Sequence, residues 1–367
     1  MAIRIDFIDW PSVRPIRELM LDPQVTEIMI NGPQAVFIER GGRMQQAEVS
    51  FESPEQLMAL VDSLVDNSGR SVSVSRPYVD FTLPDGSRIN VVVPPVAVAG
   101  AAITIRKFTK TLGSLEDLIR VGTLDERMAW LLCSAVTAKM NIIFSGATGS
   151  GKTTLLNILS GYIRDNERVV TVEDTAELTL RQANVVRLEC RPPNLQNQGR
   201  VEMAELVRNA LRMRPNRIII GEIRGDEAVD LLTAISSGHE GCLSILHASS
   251  PRDALRRLEM FTLQRGLGMP LWAIHRQIAA AIDLIVQMEM LQDGTRRVTA
   301  ISEVGDLEED NQIGLRDLFT YEVSGYGQDG KVEGRFECAG VEPNFLIRFA
   351  RQKVEVPPGL FRKGAGT

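Results

Sequence analysis

Cysteine is scarce and scattered in this chain: four residues in 367 (Cys133, Cys190, Cys242 and Cys338), with no C-x-x-C pair. That spacing argues against a zinc site and a disulfide framework and suits a reducing compartment. Histidine is scarcer still, with three residues. Long hydrophobic runs are missing. The most apolar stretch, residues 91–105, is broken by Pro94, Pro95 and Gly100 and is too short to span a bilayer. The opening MAIRIDFIDW holds no apolar core of signal-peptide length. Membrane association is therefore expected only through a partner. A strong charge bias is also absent: a net charge of −6 and a pI near 5.4 give no global reason to expect direct nucleic-acid binding. No internal repeat or low-complexity segment stands out. What is present is an ordinary globular composition, 44% hydrophobic and 24% charged, in a chain long enough for two domains with separate cores.

One stretch carries most of the information. A short apolar strand (Ile142, Ile143, Phe144) runs into a small-residue loop that opens a helix (Leu155, Leu156, Ile158, Leu159). Gly146, Gly151, Lys152 and Thr153 fit G-x-x-x-x-G-K-[ST], the phosphate-binding loop. The intervening Ala147, Thr148, Gly149 and Ser150, with Thr154 just beyond, complete the expected nucleotide contacts. Glycines let the backbone curl so that successive N–H groups wrap a phosphate chain, and the helix N-terminus adds its positive dipole end. In such a loop Lys152 reaches the β- and γ-phosphates of ATP, and the Thr153 hydroxyl takes a Mg²⁺ position.

The rest of the chain falls into two patterns. Residues 1–107 read as a small α+β domain with an antiparallel sheet. A helix over 12–23 precedes strands at 27–30, 35–39 and 48–51. A helix from the Ser53–Gln56 capping box to about Asn67 is closed by Gly69, and strands follow at 78–83, 88–93 and 103–107. Residues 108–114 are the linker candidate. From 115 onward the pattern is α/β. A second capping box, Thr123 to Glu126, heads a helix to about Lys139. Apolar strands at 168–172, 185–189, 217–220 and 242–246 alternate with helices near 201–212, 226–236, 251–265 and 270–281, which predicts a parallel sheet covered on both faces. Strands at 284–290 and 296–304 read as an antiparallel extension, and 305–367 as a smaller tail.

Ligands of open parallel sheets sit beyond the carboxyl ends of the strands, which gives a test for each polar group. Glu222 emerges from the apolar run RIIIGE and is expected to orient or deprotonate the water attacking the γ-phosphate. Glu173 and Asp174 follow RVVTV. One of the two can point inward from an extended backbone, and Glu173 is the expected holder of Mg²⁺ waters. His247 ends the strand at 242–246 and can face the γ-phosphate. His239, in a glycine-flanked turn before that strand, is a further expected nucleotide contact. Eight-residue spacing across a strand is not a usual metal-ligand geometry for that pair, and His275, in an apolar helical pattern, reads as structural. Arg76, Arg88 and Arg106 lie at strand or turn positions of the first domain. They could neutralise phosphoryl charge if that domain closes over the nucleotide.

Taken together and in this order, these segments resemble the secretion-ATPase superfamily of type II secretion, type IV pilus and type IV secretion motors. The family's Walker A motif corresponds to residues 146–153, its aspartate box to TVEDTAE at 171–177, its atypical Walker B motif to IIIGEIRG at 218–225, and its histidine box to 238–248. VTEIMINGPQAVFIERGGR, DFTLPDGSRIN, ITIRKF, ALRMRPNRIIIGEIRG and VEPNFLIRFARQKVEVPPGLF are similar to the CpaF branch, the ATPases of Tad (Flp) pilus assembly. That branch often carries a longer N-terminal extension, and the tetracysteine module of type II secretion ATPases is absent here. The resemblance implies a RecA-like P-loop ATPase domain after a smaller PAS-like α+β domain. It further implies a cytoplasmic hexamer docked on an inner-membrane platform protein, coupling ATP hydrolysis to pilin assembly or retraction. The alternatives are a conjugative or type IV secretion motor, or an assembly scaffold that binds nucleotide without cleaving it.

Overall fold

Strand alternation builds the first sheet. Val25, Ile28 and Ile30 face one core together with Ile103 and Ile105, while the residues between them are more exposed. The computed structural model describes residues 7–68, 70–83, 85–107, 113–194, 198–328 and 330–363. It divides into the units Met1–Thr111 and Leu112–Thr367. In the first unit α1 (Arg17–Leu21) leads into β1 (Val25–Asn31), β2 (Val36–Arg40) and β3 (Arg43–Gln46). Then come α2 (Pro54–Ser68), β4 (Tyr78–Thr82), β5 (Arg88–Val92) and β6 (Ala102–Arg106). Among the described residues these six strands form one antiparallel sheet in the order β3-β2-β1-β6-β5-β4. Leu57, Leu60, Val61 and Leu64 of α2 share its core.

The strand expected at 48–51 is displaced to β3. Gly41 and Gly42, both at positive φ, make a two-residue turn in which Arg40 pairs with Arg43, so the return strand starts at once. All four β3 residues are exposed, which is why no apolar alternation marks them. Gly69, expected to close α2, and residues 108–112 of the expected linker lie outside the described residues.

The second unit starts with α3 (Leu115–Arg120), capped by Ser114, and α4 (Glu126–Thr137). The cap of α4 is Asp125, whose carboxylate accepts the Met128 N–H at 2.8 Å. Thr123, the expected cap, is buried and its carbonyl takes the Val298 N–H instead. There follow β7 (Ile142–Gly146), α5 (Lys152–Ser160), β8 (Val169–Glu173), β9 (Val185–Glu189), α6 (Met203–Ala210), β10 (Arg217–Ile223), α7 (Glu227–Ser236), β11 (Leu243–Leu246), α8 (Pro251–Gln264) and α9 (Leu271–Ala281). The chain ends with β12 (Leu284–Met290), β13 (Arg296–Leu307), β14 (Ile313–Tyr326), β15 (Val332–Cys338) and α10 (Leu346–Arg351). Among the described residues nine strands form one sheet, β15-β14-β13-β12-β7-β11-β10-β8-β9. The strands from β12 to β9 are parallel, and β13 to β15 are antiparallel. β12 thus belongs to the parallel part rather than to an antiparallel extension, because α8 and α9 carry the chain back across the sheet before it begins.

Both faces of this sheet are covered. Ile142, Phe144, Ile219, Leu243, Leu284 and Val286 enter one core with α4 and α5, while Ile143, Ile218, Ile220, Val170 and Ile285 enter the other with α7, α8 and α9. The segment read as a smaller tail, residues 305–367, contributes to the first of these cores: Phe319, Phe345, Phe349 and Phe361 all bury there. Among the described residues no helix is long and apolar enough to cross a membrane.

The amino edge of the parallel strands is fastened by buried polar groups. Asn141 accepts the N–H groups of Gly241 and Cys242 on its side-chain oxygen and donates its side-chain amide to the Ala281 carbonyl, tying β7 to both neighbouring strands. Asp283 accepts the Asn141 backbone N–H at 2.7 Å and pairs with Arg348 of α10 at 2.6 Å. Arg217, with a fully buried side chain, donates to Glu167 at 2.8 Å and to the Val136 carbonyl at 2.7 Å. Burial works against the Glu167 charge, but Arg217 and then Lys139 hold that carboxyl below its ordinary range. Removing Arg217 leaves Glu167 buried with Lys139 alone. We expect Arg217→Met to cost about 3–5 kcal/mol, read as a lower urea midpoint for the second unit; an unchanged midpoint contradicts this account of the amino edge.

Candidate functional site

Strand register fixes where the polar groups emerge. Ser145 of β7 pairs with Leu246 of β11, Leu246 with Ile223 of β10, and Ile220 with Val172 of β8. Glycine 146, His247, Glu222 and Glu173 therefore leave four adjacent parallel strands at the same carboxyl edge, spaced by about 4.8 Å per strand.

The loop between β7 and α5 has the shape its glycines permit. Gly146 (φ +147°), Gly149 (φ +78°) and Gly151 (φ +98°) adopt conformations that side chains rarely take, and a Cβ on Gly146 would overlap the Met288 carbonyl. Lys152 opens α5, and its buried ammonium donates to the Ala147 carbonyl at 2.7 Å, closing the loop on itself. Ser150 is buried in the loop, Thr153 half-buried in the first helical turn, and Ala147, Thr148 and Thr154 are exposed around it. Backbone N–H groups and a helix N-terminus converging at the end of a buried strand form an anion-binding concavity.

Glu173 and Glu222 differ in their surroundings. Glu173 is 2% exposed. One carboxylate oxygen accepts the Glu177 and Leu178 N–H groups at 2.7 and 2.8 Å, while the other, also buried, has no partner among the described residues. Burial raises its pKa, against the two backbone hydrogen bonds. Gly221 makes room for it, since a Cβ there would lie 2.9 Å from the Glu173 Cγ. Both oxygens of Glu222 are engaged: Oε1 lies 3.1 Å from His247 Nε2, and Oε2 accepts from Arg224 at 2.8 Å. Burial opposes the Glu222 charge, but His247 and Arg224 outweigh it and hold the carboxyl at about 2. Arg224 also reaches Asp174 at 3.2 Å, linking the ends of β8 and β10.

These surroundings change the reading of the two carboxylates. The sequence casts Glu222 as proton acceptor, yet both its oxygens are engaged, by His247 and Arg224, whereas Glu173 keeps one buried oxygen without a partner among the described residues. The strand-end test does not single out Arg224, although it lies within the IIIGEIRG segment at 218–225. Arg296, whose Nε donates to the Gly149 carbonyl at 2.7 Å, had no local signal at all.

His239 is not brought to this edge. It lies in the turn between α7 and β11, its Nδ1 3.2 Å from the Ala234 carbonyl, and the chain then enters β11 beside Asn141 at the amino edge. The four residues of β11 separate it from His247 by about 13 Å along the strand. His275 is buried between the Asn311 carbonyl and Glu259, in keeping with a structural role. The first-unit arginines divide. Arg88 and Arg106 are direct cross-strand partners on β5 and β6, and Arg106 pairs in turn with Glu27 of β1 at 3.5 Å. Arg76 forms a separate bridge with Ser73.

The oxygen donors at this edge fit a magnesium ion. The unpartnered buried oxygen of Glu173 and the Thr153 hydroxyl at the start of α5 are hard oxygen donors of the kind Mg²⁺ takes. Among the described residues no group of three or more His, Cys, Asp or Glu could hold a metal ion.

Comparison with known proteins identifies the family. The chain is 36% identical over 304 residues to the type IV secretion system protein PtlH of Bordetella pertussis, covering 76% of this chain and 89% of that one. It is 35% identical over 279 residues to the conjugal transfer protein TrbB of Rhizobium radiobacter, covering 75% and 82%. The solved structure of the Legionella pneumophila ATPase DotB shares the fold, with a TM-score of 0.58, 22% identity, and coverage of 84% of this chain and 85% of that one. The family model described as "Type II/IV secretion system protein" matches residues 11–318, spanning both units, and the chain belongs to that family.

Proposed function

We propose that this chain is a Mg²⁺-dependent ATPase that works as a cytoplasmic homo-oligomeric motor, a hexamer by family resemblance, docked on an inner-membrane platform protein. The observation that carries this reading is the convergence of the phosphate loop, Glu173, Glu222 and His247 at one carboxyl edge. In this reading the loop amides and Lys152 bind the phosphates of ATP, with Lys152 exchanging the Ala147 carbonyl for a phosphate oxygen. Thr153, and Glu173 through water, would hold Mg²⁺, which when bound draws charge from the β- and γ-phosphate oxygens. The free oxygen of Glu173 takes the proton of the attacking water. Glu222 is the anion that orients His247 and Arg224, and His247 faces the γ-phosphate.

Arg88 and Arg106, with Arg76 near them in sequence, are assigned to neutralising phosphoryl charge from the first unit. Arg88 and Arg106 stand directly opposite each other on β5 and β6 and so place two cationic side chains at one position of the first sheet. The cargo reading from the sequence is a pilus of the Tad (Flp) type, with pilin subunits as indirect partners and no direct nucleic-acid contact. A conjugative or type IV secretion motor is the second reading, favoured by the relatives TrbB and PtlH. Genes for prepilin and its peptidase beside this one support the first, and genes for a relaxase and mating pore support the second.

Lys152→Ala is expected to abolish hydrolysis, and Glu173→Gln to lower turnover by about 10²–10⁴-fold with ATP still bound. Turnover near wild type in Glu173→Gln returns the proton acceptor to Glu222. The pH profile gives an independent reading. Glu222, depressed to about 2, stays ionised at every pH above its ordinary range of 4.5, whereas Glu173, raised by burial, protonates above that range. Activity is therefore expected to fall on the acid side as Glu173 titrates, and Glu222→Gln should keep that acid limb even where its turnover is reduced; loss of the limb in Glu222→Gln contradicts the assignment. Arg88→Ala and Arg106→Ala are each expected to lower kcat more than nucleotide affinity, and unchanged kcat in both withdraws them from the site.

A further inference from the structure

The phosphate loop leans on one hairpin. Met288 of β12 presents its carbonyl to Gly146, and the Met288 Cε and Arg296 Cδ are the atoms that a Cβ on Gly151 would meet, each at 3.3 Å. Arg296, the first residue of β13 and register partner of Met290, donates its Nε–H to the Gly149 carbonyl at 2.7 Å. Two residues of the β12–β13 hairpin thus touch or face three glycines of the loop. The hairpin is itself braced. Asp293 in its turn accepts the Thr295 N–H and hydroxyl at 2.9 and 2.6 Å on one oxygen, and the N–H of Val332, at the start of β15, at 2.9 Å on the other.

The contact at Gly149 falls where the loop is least constrained. Gly149 is at positive φ, and a Cβ there would meet nothing within 4 Å. The peptide it forms with Ser150 is hydrogen-bonded at both ends: the Ser150 N–H donates to the Ala147 carbonyl at 3.3 Å, and the Gly149 carbonyl accepts from Arg296. A flip of this peptide would turn a carbonyl oxygen toward bound phosphate in place of an N–H, exchanging attraction for repulsion. The guanidinium is a rigid fork, and its Nε–H has a fixed direction set by the β13 backbone and the packed stem.

We propose that Arg296 is a positioning residue: by holding the Gly149 carbonyl against β13 it fixes the orientation of the Gly149–Ser150 peptide, so that the loop amides face the phosphates of a nucleotide. This rests on the nucleotide reading above and names the residue that presets its phosphate cradle.

The test uses full-length wild type, Arg296→Met and Arg296→Lys, with equilibrium binding of a fluorescent ADP analogue, steady-state ATPase kinetics and thermal unfolding. Arg296→Met keeps stem bulk against Gly151 and removes the donor. It is expected to weaken ADP binding about tenfold, the size of one lost hydrogen bond to a charged group, and to raise KM in proportion with kcat within about twofold. Arg296→Lys keeps the charge but not the directed Nε donor, and it is expected to bind as weakly as Arg296→Met. Both variants should unfold at the wild-type temperature. Wild-type affinity in Arg296→Met, full recovery by Arg296→Lys, or weakened binding that tracks a loss of thermal stability each overturns the proposal. Failure of the wild-type protein to bind the analogue overturns the nucleotide reading itself, a result distinct from normal wild-type binding with no effect of the variants.

Discussion

The close approach of Gly146 to the Met288 carbonyl sets the geometry on which the site depends. β12 runs parallel to β7 with Met288 opposite Gly146, and the two backbones come together at the last residue of each pairing because one of them has no side chain. That contact fixes where β7 ends and the loop begins. It brings the β12–β13 hairpin against the loop, and so places Arg296 on Gly149. Any larger residue at 146 would have to part the two strands and carry the phosphate loop away from the carboxylates on β8 and β10.

The two edges of the parallel sheet spend polar groups differently. At the amino edge Asn141, Asp283, Arg348, Arg217 and Glu167 are all matched, and their hydrogen bonds lock strand to strand. At the carboxyl edge the pairing is incomplete: Glu173 and Ser150 each keep a buried oxygen without a partner among the described residues. A buried acceptor left unmatched costs stability, and such sites persist where chemistry needs them. Glu222 is saturated by His247 and Arg224 while Glu173 is half-used by two backbone amides, and the roles proposed for the two carboxylates rest on that contrast.

Much of this was legible before the structure because it rests on local rules. G-x-x-x-x-G-K-[ST] between a strand and a helix located the loop, and the strand-end rule selected Glu173, Glu222 and His247. By the same rule His239, which precedes its strand, lies at the opposite edge. β3 escapes the sequence pattern because its residues are all exposed, and the segment beyond 305 gives little core signal because β14, β15 and α10 become core only through contacts with distant α4 and α5. Arg296 and Arg224 were illegible for a related reason. Their partners, Gly149 and Asp174, lie 147 and 50 residues away in sequence, and register alone brings them together.

The central claim is that this edge of the sheet cleaves ATP rather than merely holding it. The most direct measurement is phosphate release from ATP by the wild-type protein, concentrated enough to assemble, with and without Mg²⁺. The account predicts continuous, Mg²⁺-dependent release through many turnovers. Tight ATP binding with no phosphate released under those conditions would contradict it and identify the chain as a nucleotide-bound assembly scaffold.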